Sequence, residues 1–481
     1  MENKNRTLYE GYDAEQFRKL SHETVDMMAD YLSQSSRKHI TTVLPNTTPQ
    51  QMVEKWNGSF PRQPSEDYSG LMKRVIADSN HLHHPNYIGH QMTAPLPQAA
   101  LSDFIGSLLN NGSAVYEMGP TNTIMEKRII DWMAELIGFS RRADGILTSG
   151  GTLGNLTALL AARQAKTGYD VWSNGVDSSQ HVTFLVSEQS HYSIKRALGV
   201  MGLGENAAVA VPVDKHYRMN VDSLKKKYAE SIDEGKKVIA VVASGCSTAT
   251  GSYDDLESIA DFCEEKNLWL HVDGAHGASA LLSDKYKSSM KGIHRVDSIV
   301  WDAHKMLLMP ALITAVIFKE GAHSYECFSQ KASYLFEKEA RDEWYNYAQR
   351  TMECTKYMMG LKLYAALMTY GTDYFADYIT SRIDLTKEFA AVIKEAEDFE
   401  LAIEPQCNII CFRYIPQGID DIDALQKKIR NAVLHSKSYY IVQTRLKNGF
   451  YLRCTIISPL TTLRDLKQLL QKIRELAAEI R

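Results

Sequence analysis

A lysine closes the run Asp297-Ser-Ile-Val-Trp-Asp-Ala-His-Lys305, and an aspartate closes the earlier run Trp269-Leu-His-Val-Asp273. Both runs read as short buried strands, apolar and rich in β-branched and aromatic residues. A carboxylate at the end of such a strand is costly to bury without a cationic partner. So is an amine, unless chemistry removes its charge. The amine can form a Schiff base with an aldehyde, and the carboxylate can hold a pyridine nitrogen protonated. Those two contacts are what pyridoxal 5'-phosphate (PLP) needs to act as an electron sink. A helix cap or structural ion pair is the competing explanation for Asp273.

Two further segments suit that cofactor. Ile146-Leu-Thr-Ser-Gly-Gly-Thr-Leu-Gly-Asn155 reads as a strand feeding a glycine turn into a helix. Gly150 and Gly151 permit close backbone approach, and the helix start offers N–H groups and a favourable dipole to a phosphate. It matches neither a Walker nor a dinucleotide fingerprint. Ser187-Glu-Gln-Ser-His-Tyr-Ser-Ile-Lys195 opens another helix, where His191 is placed to stack on a planar ring or simply to bridge locally. The patch His81, His83, His84 and His90 fits no metal template, and no metal is expected.

These residues need a scaffold, and the apolar pattern supplies one. Short strands are expected at 145–148, 182–186, 207–211, 238–243, 269–272, 298–301 and 313–318. Helices over 124–137, 152–165 and 254–267 separate several of them. Alternation of this kind predicts an α/β domain with a mainly parallel, helix-covered sheet. Ahead of it, 12–35 reads as an amphipathic helix. Beyond it, a helix over 352–370 leads to helices at 374–396, 421–435 and from 463, and to strands at 409–414 and 450–456. The expected organisation is an N-terminal helical segment (1–83) packing at a dimer interface, a large PLP-binding α/β domain (84–365) and a small α+β C-terminal domain (366–481).

Composition narrows the class. The 481 residues are 44% hydrophobic and 23% charged, with a formal net charge of -4. That balance is ordinary for a globular protein and argues against a nucleic-acid partner. No apolar run approaches the ~20 residues of a membrane span, and the polar N-terminus is not a signal peptide. Seven scattered cysteines suit reduced thiols and a cytoplasmic location.

Taken together, the motifs resemble the group II PLP-dependent amino-acid decarboxylases, the family of aromatic amino-acid, glutamate, histidine and cysteine-sulfinate decarboxylases. The resemblance runs in order through His84-Pro-Asn-Tyr87, Thr148-Ser-Gly-Gly-Thr152, Ser187-Glu-Gln-Ser-His-Tyr-Ser193, Ser247-Thr-Ala-Thr-Gly251, His271-Val-Asp-Gly-Ala275 and Asp302-Ala-His-Lys305. It continues through Ala332-Ser-Tyr-Leu-Phe336 and Tyr451-Leu-Arg453. It implies the fold type I of PLP-dependent transferases, a homodimer, and decarboxylation of an L-amino acid to its amine and CO2.

The same resemblance implies roles. Lys305 would carry the cofactor, Asp273 would pair with the ring nitrogen, Ala275 would pack beneath the ring and His191 above it. Gly151, Thr152 and His304 would serve the phosphate. Asp302 belongs to the cofactor set, and Thr248 and Asp254 would support the ring side. Arg453 would receive the substrate carboxylate, with His90 a second substrate contact. A loop between Leu335 and Gln349 would close over the site and carry a proton-donating tyrosine, Tyr345, or Tyr347 if the register slips. A phenylalanine there would suggest an aldehyde synthase, which with a carbon–carbon lyase is the alternative activity. The chain departs from the family pattern at His276, where an aromatic is usual, at Asp302, at His90, and at Cys246, where glycine is common. The substrate side chain stays open, with a lean to aromatic or acidic amino acids.

Overall fold

The computed structural model describes residues 11–45, 47–328 and 343–480. They fall into two compact units. The larger comprises Gln91–Phe412 with Thr455–Ile457; the smaller joins Met1–His90 to Arg413–Cys454 and Ser458–Arg481. This grouping differs from the expected three-segment organisation. The N-terminal segment shares a unit with C-terminal residues, and the helix Thr372–Glu395 belongs to the larger one. Hydrogen bonds explain the first difference: Val43 N donates to Lys437 O at 2.7 Å, and Thr461 Oγ1 donates to Pro85 O at 2.6 Å.

The larger unit is built on a seven-stranded sheet. Its strands are β1 (Asp144–Thr148), β2 (Val182–Ser187), β3 (Ala208–Val211), β4 (Lys237–Ser244), β5 (Trp269–Asp273), β6 (Ser298–Asp302) and β7 (Thr314–Phe318). They lie in the order β1-β7-β6-β5-β4-β2-β3. Neighbours pair in parallel except at β7, which runs antiparallel to both β1 and β6. The expected mostly parallel α/β sheet is what forms.

Each strand is apolar because both faces are covered, and the period of two sorts side chains between two cores. Leu147, Leu185, Val241, Val272, Ile299 and Ile317 enter one core. The helices Pro120–Ile137, Leu256–Lys266, Met359–Tyr370 and Thr372–Glu395 close that face. Ile146, Phe184, Val242, Trp269, Val300 and Val316 enter the other, beneath the helices Gly151–Lys166 and Ser193–Val200. By the same parity, His271, Asp273 and Asp302 share this second face. The helix expected from residue 352 begins only at Met359.

The smaller unit holds the helices Ala14–Ser36, Pro49–Lys55, Tyr68–Ala77, Ile422–His435 and Leu463–Glu479. An antiparallel hairpin pairs Val442–Leu446 with residues 449–453. The strand Val442–Leu446 was not expected, because its alternating polar residues leave it too short an apolar signal.

Strand β1 ends the sheet, and an edge strand exposes backbone groups that must be satisfied. Leu147 N donates to Glu126 Oε1 at 2.8 Å, and Leu147 O accepts from Lys356 Nζ at 2.8 Å. Glu126 and Lys356 are themselves ion-paired and almost fully buried. Burial lowers the Lys356 pKa against the pull of Glu126. Removing one partner strands the other charge in the core. Lys356→Met should therefore cost about 3–5 kcal/mol, read as a lower midpoint in denaturant unfolding followed by circular dichroism.

Candidate active site

Five parallel strands end at the same edge of the sheet, and the chemistry-bearing residues sit at or just beyond those ends. Thr148 ends β1, Ser187 precedes His191 after β2, Ser244 ends β4, Asp273 ends β5 and Asp302 ends β6. The register places Ser244 opposite Asp273, and Thr314 opposite both Asp302 and Thr148. Ligands in open α/β sheets bind outside the carboxyl ends of strands.

Asp273 is held by an ordered set of donors. Asn155, in the second turn of the helix Gly151–Lys166, donates from Nδ2 to Asp273 Oδ2 at 3.1 Å and to Ser193 Oγ at 3.0 Å. Its Oδ1 must then accept, and His271 Nε2 lies 3.0 Å away. His271 Nδ1 faces Ser298 Oγ at 2.9 Å, and Ser298 Oγ also receives Trp269 Nε1–H at 2.9 Å. Read from Trp269, every proton is assigned, and the chain ends as N–H donors on a carboxylate. Burial drops the His271 pKa to about 4, so the ring is neutral and the relay keeps its direction. Ala275 N donates to Asp273 Oδ1 at 3.2 Å. Asp273 is nonetheless only half-buried, so its oxygens keep an open side.

Asp302 organises the second cluster. Its Oδ2 lies 3.0 Å from Lys305 Nζ, and its Oδ1 accepts from Thr314 Oγ1 at 2.5 Å. His304 Nε2 sits 3.5 Å from Oδ2, while its Nδ1 lies 2.9 Å from Ile313 O and 3.2 Å from Ile313 N. Burial lowers the His304 pKa, and the imidazole is a neutral bridge between Asp302 and the backbone. Both ring nitrogens of His304 are thus engaged within the protein.

Lys305 is 20% exposed at its side chain. Burial by itself would lower its pKa, but the carboxylates of Asp302 and Asp273 reverse the shift and hold it above the usual lysine value. His191 is half-buried and shares this field. Burial lowers its pKa, opposed by Asp273 and assisted by Lys305. Its Nδ1 contacts Ser193 Oγ at 2.8 Å, which ties the ring to the donor set on Asp273.

At the glycine turn, Gly150 has φ of +118°, and Gly151 starts the helix; among the described residues no side chain caps it. A Cβ at Gly151 would sit 3.2 Å from Asp302 Oδ1. Thr152 is exposed in the first turn. The result is an uncapped helix start beside an ion-paired lysine and a carboxylate with hydrogen-bonded backing. This donor set fits PLP.

The other expected residues are distributed as follows. Thr248 is half-buried in the loop after β4, and Ala275 is buried in the second core. Asp254 is buried: its two oxygens accept from Met219 N and Ser244 N at 2.5 and 2.7 Å, and burial raises its pKa to about 6. Tyr345 is partly exposed, with its ring 5.6 Å from that of Tyr116. Tyr347 is fully buried, its hydroxyl donating to Thr123 O at 3.3 Å and its ring beneath Lys356 and Arg350. Residues 329–342, which include Ala332–Phe336 and most of the expected closing loop, lie outside the described residues. His90 and Arg453 belong to the smaller unit. Partial burial, followed by the charges of Arg453 and Arg430, lowers the His90 pKa.

The pyridoxal-dependent decarboxylase conserved domain matches residues 49–415. The chain belongs to that family. An aromatic-L-amino-acid decarboxylase of Bacillus atrophaeus is 30% identical over 476 residues, covering 97% of this chain and 96% of the relative. An L-2,4-diaminobutyrate decarboxylase of Acinetobacter baumannii is 29% identical, covering 89% and 88%. Crystalline mouse CSAD in its apo form superposes with a TM-score of 0.90 at 23% identity, over 97% and 99% of the two chains. The fold is fold type I, and the protein is a PLP-dependent amino-acid decarboxylase. Among the described residues no helix is long and apolar enough to cross a membrane.

Asn155, His271, Ser193 and Ser298 escaped the sequence reading. His271 and Ser298 left a faint signal, a polar residue in each of two apolar strands at the parity of Asp273 and Asp302, whereas Asn155 and Ser193 lie on helices and left none. The raised Lys305 pKa has a direct consequence for loading the decarboxylase. Only the neutral amine attacks an aldehyde, so PLP uptake by the cofactor-free protein should speed up as pH rises, by about tenfold per unit below the lysine pKa. Asp302→Asn removes a neighbouring negative charge, lowers that pKa and should bring the plateau to lower pH. Stopped-flow absorbance of PLP incorporation across a pH series measures both.

Proposed function

We propose that Lys305 holds the cofactor through Nζ, that Asp273 accepts the ring N–H, and that His191 and Ala275 bound the two ring faces. The observation that carries this is the paired geometry at the ends of β5 and β6: a lysine above its usual pKa beside Asp302, and a carboxylate backed by the Asn155 donor relay. The uncapped helix start at Gly151 and Thr152 receives the phosphate, and His304 acts through Asp302 as a positioning residue. Thr248, on the loop after β4, supports the ring side.

When bound, PLP accepts the electron pair released as the substrate loses CO2. Asp273 makes that possible by keeping a proton on the ring nitrogen, and the relay from Trp269 to Asn155 keeps Asp273 an acceptor. Lys305 must be neutral to bond the cofactor and becomes cationic when it takes up a proton, and Asp302 at 3.0 Å stabilises that cation. Tyr345 delivers a proton to the substrate Cα. Tyr347 is not the donor in this reading, since its hydroxyl is spent on Thr123 O and its ring on two buried cations. Arg453 binds the substrate carboxylate, with His90 beside it in sequence-distant support. The substrate is an L-amino acid with an aromatic side chain, as in the Bacillus relative, with acidic side chains next.

The protein works as a cytoplasmic homodimer. The helix Pro97–Leu109 leaves Leu101, Phe104, Ile105, Leu108 and Leu109 exposed, an apolar surface that a second copy would cover. The N-terminal helix adds Phe17, Val25 and Met28. The reduced cysteines suit that compartment.

A product assay tests the reading. The PLP-loaded protein is given a panel of aromatic, acidic and diamino L-amino acids, with CO2, amine, aldehyde and ammonia followed together. Equal amine and CO2 from an aromatic substrate support it; activity confined to another class overturns the substrate assignment. Lys305→Ala should abolish multiple turnover, and retained turnover would remove Lys305 from its role. Tyr345→Phe should keep CO2 release while diverting product to aldehyde and ammonia, with one O2 and one water consumed and one hydrogen peroxide formed per aldehyde. If Tyr347→Phe does so instead, the proton donor is misassigned.

A further inference from the structure

Three buried side chains that the decarboxylation does not use meet beside the cofactor segments. Cys246 follows β4, His276 follows the turn after Asp273, and Cys407 precedes the strand Ile409–Tyr414. One ligand atom from each lies within 4.8 Å of the other two. The two Sγ atoms are 3.4 Å apart. Relative exposures are 6% for Cys246, 3% for His276 and 2% for Cys407. We propose that Cys246, Cys407 and His276 form a soft-metal site that takes Zn²⁺.

The histidine tautomer is set for ligation. Asn408 Nδ2 donates to Ile456 O at 3.3 Å, which turns Asn408 Oδ1 toward His276 Nε2 at 2.7 Å. Nε2 therefore carries the proton, and Nδ1 keeps its lone pair. A ligating histidine typically donates its other N–H to a carbonyl or carboxylate in this way. The backbone accommodates the sulfurs at some cost. Cys246 has φ of +90°, a conformation that favours glycine, yet it carries a cysteine. Two glycines clear the space: a Cβ at Gly251 would sit 2.4 Å from Cys407 Sγ, and one at Gly277 would sit 2.5 Å from Cys246 Cβ. Cys246 and His276 are also two of the positions where the chain departs from its family pattern.

Magnitudes favour a metal over a disulfide. Zinc–sulfur bonds of about 2.3 Å in a tetrahedral site put two sulfurs about 3.8 Å apart, close to the 3.4 Å observed. A disulfide needs about 2.05 Å and leaves His276 and its fixed tautomer unexplained. Charge points to the divalent ion. Binding forms two S–Zn bonds and one N–Zn bond and releases both thiol protons, so the buried cluster stays neutral. The fourth position is left for water. Such a site would tie together the loop carrying Thr248, the turn after Ala275 and the segment entering the strand Ile409–Tyr414, all within the larger unit.

The test uses metal-free holoenzyme, freed of excess PLP, titrated with Zn²⁺ against a chromophoric chelator, with Co²⁺ as a spectroscopic probe. One equivalent of Zn²⁺, two protons released, a thiolate-to-Co²⁺ charge-transfer band and a raised Tm are expected. Cys407→Ser should lose the band and the tight binding, while Cys263→Ser, a buried cysteine elsewhere, should keep both. Asn408→Ala should weaken affinity about 10–100-fold at unchanged stoichiometry, and it carries the test if Cys407→Ser fails to fold. Binding that is absent, or that survives Cys407→Ser, overturns the proposal. Uptake of Cu⁺ but not Zn²⁺ overturns the charge argument and the assignment with it.

Discussion

The structure turns on supplying hydrogen-bond donors to a carboxylate, Asp273, at the end of a buried strand. Among the described residues no cationic side chain hydrogen-bonds to Asp273; it is held by N–H groups of the Asn155 side-chain amide and the Ala275 backbone. A carboxylate in such a place is costly to bury without donors. The donor series from Trp269 through Ser298, His271 and Asn155 supplies one with a fixed direction, because each member can bond in only one direction once its neighbour is fixed. The series needs a neutral His271, which burial guarantees. It also needs the helix Gly151–Lys166 pressed against the sheet, so the same helix start that suits a phosphate presents Asn155 one turn later.

A division of labour between two carboxylates follows. Asp273 is backed by neutral donors and stays half-open, which suits it to a ligand. Asp302 is 2% exposed and faces Lys305, Thr314 and His304, which suits it to setting the charge of the lysine. Their placement depends on β7 lying between β1 and β6. Being reversed, it brings Thr314 at its start to the edge where the parallel strands end.

The same economy appears at the sheet's outer edge. Glu126 and Lys356 satisfy the outward backbone groups of Leu147, and the pair lies under Tyr347 with Arg350. The segment that follows Tyr345 is thus anchored in a buried ionic cluster. Tyr345, two residues earlier, remains partly exposed, so neighbouring tyrosines have opposite fates.

The sequence by itself determined the seven strands of the larger sheet, their two-faced burial, the cofactor and the family. These rest on local periodicity and on residue types in fixed order, which need no partner to be read. The strand Ile409–Tyr414 and the helix over 422–435 fell where the pattern put them, within a residue. Tertiary structure decided the rest, because it turns on which distant residues meet. Nothing local distinguishes the reversed β7 from its parallel neighbours, or tells Tyr345 from Tyr347. Asn155 reaches Asp273 across 118 positions, and Cys246 meets Cys407 across 161. Asp254 takes backbone amides from two distant segments, Met219 N and Ser244 N, on its two oxygens. Hydrogen-bond direction and sulfur proximity are properties of a packed core, and only the folded chain assigns them.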